Sequence, residues 1–78
     1  MPTLTQPAPT GYYLRMLRTR RGQRSKEVAK GAGIPPSILS RIELGRQEPR
    51  ANLMFRILDA MGASLGELEK EMQGDEMI

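Results

Sequence analysis

Apolar residues at helical spacing recur along this chain, and each stretch is cut short by a glycine, at Gly22, Gly33, Gly45 and Gly62. That punctuation leaves room only for short helices, because a glycine just past the last periodic residue closes a helix with a left-handed turn. Leu14, Leu17 and Arg21 fall at helical spacing and the basic pair Arg20-Arg21 precedes Gly22, which predicts a first helix over Thr10 to Arg21. A second fits Ser25 to Ala32, with Glu27 placed to serve the first-turn amides and Val28 and Ala29 facing inward. Gly33 supplies the positive backbone angle of a tight turn. Pro35-Pro36 then stands where a missing amide hydrogen is tolerated, so a third helix is expected over about Pro36 to Leu44.

Gly45 to Pro49 reads as a loop. Beyond it, Met54, Ile57, Leu58 and Met61 recur at i, i+3, i+4 and i+7, the narrow apolar face of an amphipathic helix that stops at Gly62. Ser64 is a cap for a last helix carrying Leu65 and Leu68. Strand-like alternation and internal repeats are absent, and the expected class is all-α, a compact five-helix domain over residues 11–70. Residues 1–10 hold three of the six prolines and no periodicity, which predicts a disordered N-terminal arm. Residues 71–78 are acidic and Met-rich and are expected to form a flexible C-terminal tail.

A chain of 78 residues buries a small fraction of its surface, so its stability is marginal or borrowed from a partner such as a second copy. It has no cysteine and no histidine, so no disulfide, thiolate metal site or imidazole proton shuttle is available, and no metal or other cofactor is expected. Catalysis is not expected either: no Gly-rich phosphate loop is present, and Glu67 and Glu71, at i and i+4, read as the solvated face of an acidic terminal helix. No apolar stretch approaches the roughly 20 residues that span a bilayer. The start, Met-Pro-Thr-Leu-Thr-Gln-Pro, lacks the regions of a secretory signal, and a soluble cytoplasmic protein is expected.

The net charge of +3 hides a strong polarity. Residues 11–50 carry ten basic side chains against three acidic ones, a balance of +7, whereas residues 51–78 carry two against six, a balance of −4. A footprint for a polyanion on the N-terminal part is implied, with the acidic end turned away.

Two short helices joined by a turn containing glycine make a helix-turn-helix, here from Ser25 to Glu43. Ala29 would sit where the second helix crosses the third, with Val28, Ile34, Leu39 and Ile42 as the internal wedge. From about Gly11 to Leu68 the chain resembles the lambda-repressor-like helix-turn-helix family, also called XRE or Cro/C1-type. The resemblance is carried by Leu14, Leu17-Arg18, Gly22, Val28-Ala29, Gly33, Ser37, Leu39, Gly45, Pro49, Met54, Ile57, Met61-Gly62 and Ser64-Leu65, and above all by Ser40-Arg41-Ile42-Glu43-x-Gly45 followed by Pro49.

The resemblance implies a sequence-specific regulator of transcription, in the first place a repressor, that binds a palindromic site on double-stranded DNA as a homodimer. It places Pro36, Ser37, Ser40 and Arg41 near base edges in the major groove. Arg41 is the expected base reader, since a guanidinium bonds both O6 and N7 of guanine; the alternative is that it meets only phosphate or solvent. Phosphate contacts would fall to Arg24 and Ser25 at the start of the second helix and to Arg46 and Arg50 after the third. Arg18 and Glu43 occupy positions that pair across the first and third helices in the family, a structural ion pair and not a DNA contact. The N-terminal arm would touch DNA or be a solvated tail.

Three departures from the family pattern concern the start of the second helix: Gln23 replaces an apolar residue, Arg24 a capping Ser or Thr, and Ser25 a phosphate-binding Gln. Pro35 replaces the usual cap of the third helix. Phe55 lies off the Met54-Ile57-Leu58-Met61 stripe and, with Leu65 and the Gly62-Ala63 loop, is a candidate for a two-fold contact; the alternative is packing on the first helix or the C-terminal tail. A rival reading makes the module an antitoxin or adaptor whose main partner is another protein, such as a toxin, held by the Met-rich tail.

Overall fold

The structure, a computed structural model, describes residues 9–76. It contains five helices: α1 (Thr10–Arg20), α2 (Ser25–Ala32), α3 (Pro36–Glu43), α4 (Ala51–Met61) and α5 (Leu65–Glu76). No strand occurs among the described residues. The arm expected at residues 1–10 lies outside the described residues except for Pro9, whose carbonyl accepts the first hydrogen bond of α1, and Thr10, where the helix begins. Of the expected tail, α5 takes residues 71–76, and residues 77–78 lie outside the description.

Four helices end in the same way. Beyond α1, the amides of Gly22 and Gln23 donate back to the carbonyls of Thr19 and Arg18; Gly33 and Ile34, Gly45 and Arg46, and Gly62 and Ala63 repeat this pairing after α2, α3 and α4. This is the Schellman closure, which satisfies the last carbonyls through a residue in the left-handed region. All four glycines have φ between 71° and 78°, where a Cβ is strained. Arg21 and Leu44, expected as last helical residues, are instead the caps of α1 and α3, because the turn hydrogen bonds begin there.

Helix starts are less uniform. α5 opens with a complete capping box: Oγ of Ser64 accepts from the Glu67 amide at 3.2 Å, and Oε1 of Glu67 accepts from the Ser64 amide at 2.9 Å. α2 has no such box, because Arg24 stands at its N-cap and makes no capping bond. The role expected for Glu27 is not filled: its carboxylate makes no hydrogen bond among the described residues and, exposed in the first turn, acts on the helix dipole only. Arg24 has no side-chain oxygen to accept from the Glu27 amide, so that half of the box is lost.

One core joins all five helices. Leu14 and Leu17 of α1, Val28, Ala29 and Ala32 of α2, Leu39 and Ile42 of α3, Ile57, Leu58 and Met61 of α4, and Leu68 of α5 are buried together with Tyr13. α1 lies against both α3 and α5, and α2 against α3 and α4. Ala29 is fully buried, so helix packing at that point leaves room for a methyl group and no more. Gly11 marks a still closer approach: a Cβ there would overlap the Ile42 carbonyl of α3.

Candidate nucleic-acid interface

α3 buries Leu39, Ile42 and Glu43 and leaves Pro36, Ser37, Ser40 and Arg41 exposed. Ser37, Ser40, Arg41 and Leu44 follow at i, i+3, i+4 and i+7, so one face of the helix is free along its length. Leu44, 55% exposed, completes that face. Its spacing from Ser37 and Ser40 was the signal that could have placed it there, but an apolar residue at a helix end draws attention to the core instead.

Two things set the direction of this face. The first is the ion pair between α1 and α3: Nε and Nη2 of Arg18 donate to the Glu43 carboxylate at 2.7 and 3.0 Å, with the two side chains only 11% and 8% exposed. The third guanidinium nitrogen, Nη1, donates to the Gln23 carbonyl at 2.7 Å, so every arm of the fork is used. The second is Arg56 on α4, whose Nη2 donates to the Ala32 carbonyl at 2.7 Å and meets that of Gly33 at 3.4 Å. A cation at this negative helix end satisfies carbonyls that the helix cannot. It fixes the turn between α2 and α3; only the long-range fold, not local spacing, brings α4 to that end of α2. Gln23, where an apolar residue was expected, donates from Nε2 to the Met61 carbonyl at 2.9 Å and so ties the α1–α2 connection to the end of α4.

Arg24 at the N-cap of α2 and Arg46 and Arg50 in the connection between α3 and α4 are exposed, and Ser25, the first residue of α2, is half-buried. Among the described residues, Arg24, Arg41, Arg46 and Arg50 make no ion pair and no side-chain hydrogen bond. The remaining arginines near them in sequence are differently employed. Arg20 pairs with Glu71 at 2.8 Å, and Arg21 bonds Glu67 and the Gly62 carbonyl, each at 3.1 Å. The acidic C-terminal part is thus not simply turned away: α5 lies along α1 and neutralises its basic end. Of the ten cations in residues 11–50, Arg15, Arg24, Lys26, Lys30, Arg41, Arg46 and Arg50 stay unpaired among the described residues, and Glu27 and Glu48 are the acids of that segment left unpaired with them.

Exposed arginines around a helix face of small polar residues can do two things: neutralise phosphates through guanidinium groups, and present hydrogen-bonding side chains to base edges. Among the described residues no His/Cys/Asp/Glu group of metal-binding size exists, and no helix is long and apolar enough to cross a membrane.

Residues 11–71 match the family model described as a helix-turn-helix domain. No curated protein sequence matches the chain significantly. Among solved structures, the chain is similar to the clp gene regulator ClgR of Corynebacterium glutamicum, with a TM-score of 0.80 and 31% identity over 96% of this chain and 95% of that one. A second structure of the same regulator gives a TM-score of 0.80 and 30% identity over 95% of this chain and 79% of that one. Two short helices, α2 and α3, joined by a left-handed turn at Gly33 are what a helix-turn-helix match requires, and the chain belongs to the helix-turn-helix family of DNA-binding regulators.

Proposed function

We propose that the chain represses transcription by binding a palindromic operator as a homodimer, with α3 in the major groove. The observation that carries the reading is the division of labour among the arginines: Arg18, Arg20, Arg21 and Arg56 are spent on internal partners, while Arg24, Arg41, Arg46 and Arg50, which lie within the helix-turn-helix or in the segments next to it in sequence, are exposed and unpaired among the described residues. Arg41 reads bases, Ser37 and Ser40 bond them with little discrimination, and Pro36 contributes apolar contact. Arg24, Ser25, Arg46 and Arg50 hold phosphates and set the register of the helix in the groove. Similarity to a protein described as a gene regulator supports a role in transcription. Occupying an operator excludes other proteins from the same duplex, so repression needs no surface beyond the one that binds.

A two-fold dimer sets two copies of α3 about 34 Å apart, one turn of duplex. Phe55, 47% exposed, and Leu65, 39% exposed, supply apolar surface for the contact, on either side of the Gly62-Ala63 connection. The test is selection of bound fragments from mixed genomic duplexes at about physiological salt, with the unsubstituted chain and with Arg41→Ala. A recovered palindrome whose enrichment collapses in the variant is the expected result. No enrichment above non-specific binding would overturn the operator reading and favour a scaffold for a protein partner.

A further inference from the structure

Three cations of the unpaired set, Arg15, Lys26 and Lys30, have no part in the reading above, and two of them lie together. Lys26 and Lys30 stand one turn apart on α2, both exposed and without an ion pair or side-chain hydrogen bond among the described residues. α2 turns Val28, Ala29 and Ala32 into the core and brings Gly31 against Ala60 of α4. At 100° per residue, Lys26 and Lys30 fall on the flank away from Gly31, the flank that borders the start of α3. A groove of about 450 Å³ runs there, lined by Arg24, Lys26, Glu27, Lys30 and Pro36. Pro36 opens α3, so this groove adjoins the end of the helix that leads into DNA.

Three cations against the single carboxylate of Glu27 attract a linear anion, and the groove reaches the DNA-facing helix at its leading end. Its lining holds no aromatic or branched aliphatic side chain of the kind that anchors a folded protein partner. The long lysine side chains are point charges that suit phosphate oxygens without demanding the planar geometry of a base edge.

We propose that Lys26 and Lys30 form a second phosphate-binding strip, which grips the DNA backbone just outside the bases that α3 reads. This rests on the DNA-binding reading and deepens it: the strip adds affinity that is independent of sequence and extends the footprint of each protomer beyond the recognition helix. Glu27 moderates it by placing one negative charge in the same groove.

The experiment measures binding to a mixed-sequence duplex between about 50 and 200 mM salt, which needs no knowledge of the operator because phosphate contacts carry no sequence information. The unsubstituted chain is compared with a Lys26→Gln/Lys30→Gln variant, and with Lys70→Gln on α5 as a control for loss of a remote charge. The double variant should flatten the log-log salt slope by about 1.8 for each bound protomer, so that a fourfold rise in salt weakens it about tenfold less. Glu27→Gln should tighten binding at low salt. Slope and affinity no different from those of the Lys70 control would overturn the strip while leaving DNA binding by α3 intact. Failure of the unsubstituted chain to bind any duplex would overturn the DNA reading itself, and the strip with it.

Discussion

Arg18 reaches from α1 to Glu43 on α3 and to the Gln23 carbonyl, and all its charge is absorbed within the fold. Arg41 lies two residues from Glu43 on the same helix and makes no ion pair or side-chain hydrogen bond among the described residues. Side-chain type alone does not separate these arginines; what stands opposite each does. Replacing Arg18 by Met strands the Glu43 carboxylate, which is 8% exposed, and should lower stability by about 3 kcal/mol in urea unfolding. The double variant Arg18→Met/Glu43→Leu should recover much of that loss, since the stranded charge goes with it; equal losses in single and double variants would contradict the pairing. For Arg41→Ala the fold should be untouched, and the cost should appear as about 1–3 kcal/mol of lost discrimination between the selected site and a site altered at one guanine.

At the level of elements, two glycines inside helices make opposite predictions. Alanine is the better helix former by about 1 kcal/mol, so propensity alone favours substitution at both Gly11 and Gly74. A methyl group added at Gly74 would meet nothing within 4 Å, and Gly74→Ala should stabilise the protein by about 0.5 kcal/mol near the end of α5. At Gly11 the methyl group would overlap the Ile42 carbonyl, so α1 and α3 would have to part, and Gly11→Ala should cost about 1–3 kcal/mol despite its better propensity. Denaturation midpoints moving in opposite directions, at constant slope against denaturant, are the expected outcome. Because α1 and α3 are the helices joined by Arg18 and Glu43, the Gly11 variant should also weaken DNA binding through a displaced α3.

For the whole molecule, the decisive question is how the binding faces of two copies are related. Phe55→Asp puts a charge on exposed surface and should leave helix content and monomer stability within about 0.5 kcal/mol. If Phe55 lies in the two-fold contact, sedimentation should show loss of the dimer, and affinity for a two-half-site duplex should fall far more than affinity for a single half-site. An unchanged sedimentation profile would remove Phe55 from the interface. Charge is also organised at this scale: α5 neutralises Arg20 and Arg21 at the end of α1, so apart from Arg15 the unpaired cations of residues 11–50 lie in α2, α3 and the segments that flank them.

Local order was legible in the residues themselves. The glycine stops, the apolar stripe of α4 and the Ser64 cap follow from rules that act over three to five positions, and they placed α1, α2 and α3 with ends within about a residue of those observed; α5 runs on to Glu76, past the end expected near residue 70, and Glu67, read as a solvated face, completes the cap. The tertiary structure decided the matters that depend on groups far apart in the chain. Arg56 meets the end of α2 from 24 positions away, and Arg20 meets Glu71 from 51 positions away. Neither partnership leaves a periodic trace, because the geometry arises only once helices dock. For the same reason the sequence by itself determined that this end of the chain is basic, and only the packed structure decided which of those cations are spent in holding the fold and which remain free for a ligand.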